Sequence, residues 1–313
     1  SAGDTGTVTV RVTGDEGVID HTAGTVSSGA GGAITLQADE MALGGTGITT
    51  SGTVYLRAEN LGDAIDIGSN PASANVLELG AAELDTITAG TSLVIGGDGT
   101  NEMTGGVTVS AAVTPANAGN LSVVQAGGGS SGVDIQGNLT ANTALTVDTD
   151  VDATGIGAIT RSTGVGTLAA TAGNLTLNAG SGIGDIAGTT PVAIGTVGGS
   201  LSATNTTSGD LYLSTGGITL GGAGASLSEV AGGELRVDSS GNIVIGGNVT
   251  VGGAGTITLN TAGTITRTGG TVDAATVALG PNTAPTSIGA SGTPVVTAAT
   301  TLLDAVSTAG AIW

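Results

Sequence analysis

The chain has no cysteine, no phenylalanine and no lysine, and aromatic residues make up only 1% of its 313 residues. The absence of cysteine excludes disulfide bonds and thiol chemistry. The scarcity of large rings argues against an ordinary thick globular core, because aromatic side chains supply much of the volume of such cores. We therefore expect a thin core that is filled by aliphatic side chains.

Positive charge is scarce as well. Lysine and arginine together contribute five residues against 25 aspartates and glutamates, which gives a formal net charge of −20. Such a charge repels nucleic-acid phosphates and anionic lipid headgroups, so we expect no nucleic-acid partner and no electrostatic binding to membranes. No apolar run approaches the roughly 20 residues that a spanning helix needs, so we expect no membrane insertion.

The sequence is rich in glycine, with 60 residues, and in short runs of aliphatic residues two positions apart. Its mean hydropathy of +0.37 and its many β-branched residues distinguish it from a disordered glycine-serine linker. Each run has the alternation of a half-buried β-strand, and turn-forming residues separate most of the runs. The runs are Val8/Val10, Ile34/Leu36, Val54/Leu56, Val107/Val109, Leu145/Val147, Leu175/Leu177, Leu211/Leu213, Ile218/Leu220, Leu235/Val237, Ile243/Ile245, Val249/Val251, Ile257/Leu259 and Val277/Leu279.

The spacing of these runs predicts the fold class. Between Ile243 and Ile265 the runs follow one another so closely that only a few residues remain for each corner. The Asn-Gly and Asp-Gly turns of antiparallel hairpins are scarce. We therefore predict an all-β protein, a parallel β-helix (β-solenoid) with three short strands in each coil of about 20–24 residues. Roughly 15 coils stacked about 4.8 Å apart would form a rod about 70 Å long.

A longer repeat lies over the coils. The element Ile67–Ser69 recurs as Ile194–Thr196 and as Ile288–Ala290, and each copy precedes a similar polar tail and an apolar run. We interpret the whole chain, residues 1–313, as one continuous solenoid with three degenerate modules. Their approximate bounds are 1–96, 97–214 and 215–313.

The ends of the chain give a further expectation. The start, Ser1–Asp4, has neither the basic flank nor the apolar run of a signal peptide, and the chain ends at Trp313 directly after an apolar run. We expect the sequence to be an internal or processed segment of a longer protein.

Three stretches resemble the repeat region of filamentous-haemagglutinin-like proteins, the large bacterial adhesins of two-partner and autotransporter secretion. They are the phrase Ala82–Thr91 and the Gly-polar-apolar-Thr-apolar strands Gly173–Leu177 and Gly255–Asn260. The resemblance extends over essentially the whole chain. It implies a right-handed parallel β-helix, secretion to the bacterial surface and a role in attachment or filament building. It supplies no catalytic residues.

Asp148, Asp150 and Asp152 are the candidate metal ligands, because three carboxylates at alternate positions occur in the first half of many Ca²⁺ loops. The second half of the pattern is missing, since Ala153 and Ile159 replace the glycine and the bidentate glutamate of such loops. The alternative interpretation is an exposed acidic strand face, with Val147 and Thr149 pointing inward. A second, weaker cation loop is Gly97–Glu102, for which a turn is the alternative.

We expect no catalytic residue and, apart from the candidate Ca²⁺, no cofactor. His21 is the single histidine and has no cysteine with which to form a zinc site or a nucleophilic pair. Asp15, Glu16 and Asp20 lack the lysines and aromatic sugar platforms that accompany catalytic acids in glycan-cleaving β-helices. Gly222–Gly224 has no strand-then-helix context for phosphate binding.

The leading functional hypothesis is a non-catalytic structural or adhesive rod, secreted to the bacterial surface. The expected partners are further copies joined end to end and a cell-surface or glycan receptor. Ice binding is one alternative, suggested by Thr256–Thr258 and Thr264–Thr266, but the Thr-x-Thr spacing is irregular. A polysaccharide-cleaving β-helix is the other alternative, and it requires a carboxylate cleft beside an arginine. The register itself predicts that Ile257 is in the core and Thr258 is on the exposed face.

Overall fold

The structure is a computed structural model that describes residues 6–14, 17–45, 47–69, 75–97, 103–126, 132–222, 225–230 and 232–313. The sequence predictions for Ser1–Asp4, for Asp15 and Glu16, for most of the 97–102 loop and for residues 223–224 lie outside the described residues.

Short strands form nearly all of the regular structure. The strands of the first part are β1 (Val8–Arg11), β2 (Val18–Asp20), β3 (Val26–Ser27), β4 (Ile34–Gln37), β5 (Glu40–Ala42), β6 (Ile48–Thr50), β7 (Thr53–Arg57), β8 (Ala64–Gly68) and β9 (Val76–Gly80). A four-residue helix, α1 (Ala81–Leu84), precedes β10 (Ile87–Gly96), β11 (Val107–Val109), β12 (Ala118–Val124), β13 (Val133–Ile135), β14 (Leu139–Ala141), β15 (Leu145–Asp148), β16 (Ile159–Thr160), β17 (Thr167–Ala170), β18 (Leu175–Ala179) and β19 (Val192–Val197). The remaining strands are β20 (Leu201–Asn205), β21 (Leu211–Thr215), β22 (Ile218–Leu220), β23 (Leu227–Glu229), β24 (Glu234–Ser239), β25 (Ile243–Ile245), β26 (Val249–Val251), β27 (Thr256–Thr261), β28 (Thr264–Arg267), β29 (Val272–Leu279), β30 (Ser287–Ile288) and β31 (Thr297–Ala305).

The predicted all-β fold of parallel β-helix type is confirmed. The strands pair in parallel, for the most part with strands of neighbouring coils, so the pairs accumulate into three ladders, here called walls. The first wall is β1, β4, β7, β10, β12, β15, β18, β20, β23, β26, β29 and β31. The second wall is β9, β8, β11, β13 and β16, then β21, β24, β27 and the second halves of β29 and β31. In the last coils the third wall is β22, β25, β28, β30 and the bridge at Ile312.

The coils are fewer and longer than the sequence predicts. The first wall has twelve described strands, so the stack rises about 53 Å at about 4.8 Å per step rather than the expected length of about 70 Å. Leu235 pairs with Ile257, and this interval agrees with the predicted period. Val54, however, pairs with Leu93, which lies almost two predicted periods further along the chain.

The long coil contains a reversal of the stacking order. Ile65 of β8 pairs with Val107 on one side and with Leu77 of β9 on the other, so β9 lies behind β8 although it follows β8 in the chain. Helix α1 then leads the chain forward to β10. Glu83 anchors this helix through hydrogen bonds. The Glu83 carboxylate accepts one from the Gly80 amide (2.8 Å) and one from the Leu43 amide of the preceding coil (3.1 Å).

A single aliphatic core lies inside the walls, as the alternation predicts. Inward residues such as Leu56, Leu93 and Ile257 are completely buried. Thr258 departs from the prediction. It points to the outer side of its strand, but it is only 6% exposed, in register between Arg236 and Ala278. Neighbouring coils shield it, so an outward position is not the same as an exposed one. The three modules stay a prediction.

Candidate functional sites

A groove of about 580 Å³ lies on the side of the rod between the second and third walls. Strands β21, β24 and β27 place Ser214, Asp238 and Asn260 in register along it. Its remaining lining is Ala193, Ile194, Thr215, Gly216, Ser239, Ser240, Ala262 and Thr283. Asp238 is the only carboxylate among these residues.

Asp238 is at the centre of a hydrogen-bond network over three coils. Arg236 donates to both carboxylate oxygens, from Nε at 3.0 Å and from a terminal nitrogen at 2.9 Å. The Tyr212 hydroxyl of the preceding coil donates at 2.7 Å, and the Asn260 amide of the following coil donates at 2.7 Å. The Arg236 guanidinium also lies 4.8 Å from the centre of the Tyr212 ring, within cation–π distance.

These contacts determine the ionisation of the network. Burial and the hydrogen bond to Asp238 raise the pKa of Tyr212 to about 12. Burial acts to raise the pKa of Asp238, but hydrogen bonds from Arg236, Asn260 and Tyr212 outweigh burial, so this pKa lies below its usual value. The hydrogen bond to Asp238 raises the pKa of Arg236. Asp238 is therefore ionised at neutral pH.

The Asp238 network has the carboxylate and the arginine that a polysaccharide-cleaving β-helix requires. Its geometry differs from that of a glycoside hydrolase, however. Glycoside hydrolysis uses a pair of carboxyl groups, of which one carries a proton, and the described groove lining holds one ionised carboxylate with donors on both oxygens. The network joins neighbouring coils.

The candidate calcium ligands are Asp148, the last residue of β15, and Asp150 and Asp152 in the turn that follows. Asp148 accepts hydrogen bonds from the Asp150 amide (3.0 Å) and the Asn178 side chain (3.1 Å). Asp150 accepts from the Gly155 amide (2.7 Å) and the Thr206 hydroxyl (2.6 Å). Thr149 is completely buried between Asp148 and Asp150, in agreement with the alternation of the strand-face interpretation, but the two carboxylates are half-buried rather than exposed.

The third carboxylate of this turn accepts hydrogen bonds from a residue of the same turn. Asp152 accepts hydrogen bonds from the Thr154 amide at 3.3 Å and its hydroxyl at 2.9 Å. Within the described ranges there is no group of three or more His, Asp or Glu side chains that could hold a metal ion. Calcium binding by Asp148, Asp150 and Asp152 stays a prediction. Ala153 does occupy the glycine-favouring conformation, with φ of 54°.

His21 is half-buried beside Gly45. Both of its ring nitrogens are shielded from solvent and have no hydrogen-bond partner among the described residues. The Gly45 amide donates to the His21 carbonyl at 2.7 Å, so the backbone fixes this segment.

Asp134 is a polar centre that the sequence does not single out. It accepts hydrogen bonds from the Gln136 side chain (2.8 Å), the Thr160 hydroxyl (3.2 Å) and the Ser162 amide (2.8 Å) and hydroxyl. Burial acts to raise its pKa, but these hydrogen bonds lower the pKa below its usual value. Ser162 belongs to the next coil and is distant in the sequence, so only the coil register brings it to Asp134.

The last coil exposes residues that continue the core. Leu303 pairs in register with Val277, and Ile312 pairs with Ile288, both of which are buried. Yet Leu303 and Ile312 are themselves 51% and 50% exposed. Strand β31 pairs with β29 on one side and has no strand on its other side in the described chain. An unpaired strand edge beside apolar side chains is a surface suited to strand pairing.

No helix of the described residues is long and apolar enough to cross a membrane. Comparison with known proteins gives no further assignment: no family model, no curated protein and no solved structure matches the chain.

Proposed function

We propose that this chain is a non-catalytic rod segment of a secreted bacterial surface protein, which acts by its length and stiffness and joins end to end with further copies. The parallel coils and the aliphatic core support a rod. The stretches that resemble filamentous-haemagglutinin-like repeats support a surface location and a role in attachment or filament building.

The stacked parallel coils around one aliphatic core are the observation that carries the proposal. In the last coil of this sequence, the inward residues Leu303 and Ile312 lie where the core of a following coil, of the same chain or of another copy, would cover them. The first coil offers matching strands, with Val8 and Val10 half-buried in β1 and Val26 half-buried in β3. Pairing between the last coil of one copy and the first coil of the next would cover both strand edges and both apolar ends.

A pair of neighbouring residues provides the test. Leu303 lies in an inward column, whereas Leu302 pairs with Thr276 on the outward side, and both are about half exposed. We expect the purified chain to form longer rods as its concentration rises, by analytical ultracentrifugation and negative-stain electron microscopy. Leu303→Asp should prevent this growth, because the charge would be buried at the junction. Leu302→Asp should leave it largely intact.

Neither substitution removes a buried side chain, so both variants should keep the circular dichroism spectrum of the parent. Single rods of constant length for the parent at every protein and salt concentration would disprove end-to-end assembly. Equal assembly of the two variants would show that the contact does not use the inward columns.

A further inference from the structure

A row of outward side chains runs along the second wall where the stacking order reverses. Strand pairing places Glu78 of β9 beside Asp66 of β8, and then Thr108 of β11 and Asp134 of β13. Asp66 and Glu78, here called the acidic pair, are therefore direct neighbours on strands whose backbones lie about 4.8 Å apart. Two like charges in direct register repel each other and destabilise a sheet.

Glu78 is the more unusual member of the acidic pair. It is only 5% exposed, and its strand lies between β8, with which it pairs, and β5, which packs against it. Its carboxylate forms no hydrogen bond and no ion pair with a residue of the described chain. Asp66 is half-buried, and its Oδ1 atom accepts a hydrogen bond from the Ser110 hydroxyl. The pair thus combines a buried carboxylate that has no partner with a second carboxylate beside it.

The chain itself supplies little to balance these charges. A buried carboxylate is strongly unfavourable unless a cation or hydrogen-bond donors compensate it. Asp134 shows the usual solution in the same row, since two hydroxyls, an amide side chain and a backbone amide donate to it. The sequence has only five basic residues, and none in the described ranges forms an ion pair with Asp66 or Glu78. A charge from outside the chain is therefore needed.

We propose that Asp66 and Glu78 bind a hard divalent cation, Ca²⁺ or Mg²⁺, on the outer side of the reversal. Carboxylate oxygens are the ligands that these cations prefer, and two carboxylates suffice because such ions also retain water ligands. Glu78 offers both of its oxygens and Asp66 offers Oδ2, while Ser110 holds Oδ1.

The bound ion would replace repulsion by attraction between β8 and β9, the two strands whose stacking order is reversed. It would thereby stabilise the long coil, which is the least regular part of the rod. The site is separate from the turn that contains Asp148, Asp150 and Asp152. The inference does not depend on end-to-end assembly.

The test compares the acidic pair with the satisfied carboxylate of the same row. Glu78→Gln and Asp66→Asn each remove one charge with little change of shape, and Asp134→Asn is the matched control. All three are made in the Asp150→Asn background, here called the reference chain, so that the turn after β15 does not contribute. Isothermal titration calorimetry with CaCl₂ and with MgCl₂ measures binding after metal removal with EDTA, at an ionic strength held constant with NaCl.

We expect the reference chain to bind one ion, both substitutions in the acidic pair to weaken binding about tenfold or more, and Asp134→Asn to leave it unchanged. Thermal melts give a second readout. In EDTA, Glu78→Gln should melt above the reference chain, because the repulsion is removed. In saturating Ca²⁺ or Mg²⁺ the order should reverse.

The proposal is overturned if neither divalent cation binds, or if Glu78→Gln and Asp134→Asn bind equally well. It is also overturned if NaCl raises the melting temperature as much as CaCl₂ and MgCl₂ do at the same ionic strength, since that result would indicate general screening. A Glu78→Gln variant that melts above the reference chain under every condition would show that Glu78 is only a buried destabilising charge. If Glu78→Gln does not fold, the binding measured for Asp66→Asn decides the question.

Discussion

The first and last parts of the rod have the same parallel strand pairing, but they differ in the lengths of their coils. From Leu227 onward the first wall repeats at a nearly constant interval, through Val249, Val272 and Thr297. Nearer the start of the chain, the interval from Val54 to Leu93 is almost twice the preceding one. The inward columns of both parts are nevertheless mostly aliphatic and buried, although Asn205 and Glu229 are buried polar members of one column.

The comparison separates two requirements of the fold. Stacking depends on the alternation of inward and outward residues within each strand, which a shift by a single position would reverse. Corners are less constrained, because the entropy of closing a loop grows only slowly with its length. The long coil therefore accommodates β9 and α1 while β8 and β10 stay in register with their neighbours.

The largest expected effect comes from placing a charge in an inward column. Ile257→Asp puts an unpaired carboxylate at a completely buried position of the regular part, and we expect it to lower the free energy of unfolding by about 3 kcal/mol or more. The control is Val244→Asp, not Thr258→Asp as the sequence suggests, because Thr258 is buried. Val244 is half-buried on the outward side between Thr219 and Thr266, so little change is expected.

The same kind of substitution in the first part of the rod, where the coil lengths are irregular, tests whether the two parts share one core. Ile67 in β8 is completely buried, and Ile67→Asp should destabilise the chain as strongly as Ile257→Asp if the columns are equivalent. Urea and thermal unfolding followed by circular dichroism measure both. A loss near that of Val244→Asp would mean that the long coil does not share the core of the regular coils. Comparable losses for Ile257→Asp and Val244→Asp would contradict the strand register.

A smaller effect is expected from the two carboxylates that join coils, Asp134 in the irregular part and Asp238 in the regular part. Their pKa values are lowered, so their contribution to stability is present above the pKa of the unfolded chain, about 3.9, and is lost as the pH falls through the lower folded values. We expect Asp134→Asn and Asp238→Asn each to cost less than about 1 kcal/mol at pH 7, because both side chains are partly exposed to solvent.

Unfolding measured between pH 7 and pH 2 tests this expectation. Stability of the parent should fall on acidification, and each variant should show a shallower fall. Asp273→Asn is the control, since Asp273 is exposed and accepts no side-chain hydrogen bond in the described residues. A parent and variants with parallel pH profiles would mean that these carboxylates do not stabilise the coil stack.

The sequence predicts the structural features that depend on residues close together in the chain. Alternation identifies Leu235 and Ile257 as inward, and the small corners of the last coils give a correct period there. Alternation does not predict that β9 lies behind β8. The alternation of Leu77 and Leu79 identifies a strand, but it does not identify the strand with which that strand pairs. The irregular coil lengths made the expected number of coils too high.

The candidate sites show the same limit. Asp238, Tyr212 and Asn260 belong to three different coils, and no local motif connects them. The outward polar rows of the first wall are hidden for a similar reason, since the interval from Thr146 to Thr176 differs from that between Thr204 and Ser228 and only strand pairing aligns these residues. Uneven spacing in the sequence is therefore a weak argument against a regular surface on a solenoid.

The smallest expected effect concerns one corner of the middle coils, in the long connection that separates Leu145 from its pairing partner Leu175. Ala153 in this corner has φ of 54°, a left-handed conformation that costs an alanine about 1 kcal/mol and a glycine almost nothing. Ala153→Gly should therefore stabilise the chain by no more than about 0.5 kcal/mol, after allowance for the greater freedom of glycine in the unfolded state. Ala172→Gly, which changes another exposed turn residue without a positive φ, is the control and should be neutral or destabilising. Thermal melts measure both variants. A gain in stability from Ala172→Gly as large as that from Ala153→Gly would show that backbone strain at the corner is not the cause.

The same melts, with and without Ca²⁺, test the carboxylates beside this corner. If the Asp148–Asp152 turn binds Ca²⁺, the ion should raise the melting temperature of the parent, and Asp150→Asn should abolish the turn's part of that increase.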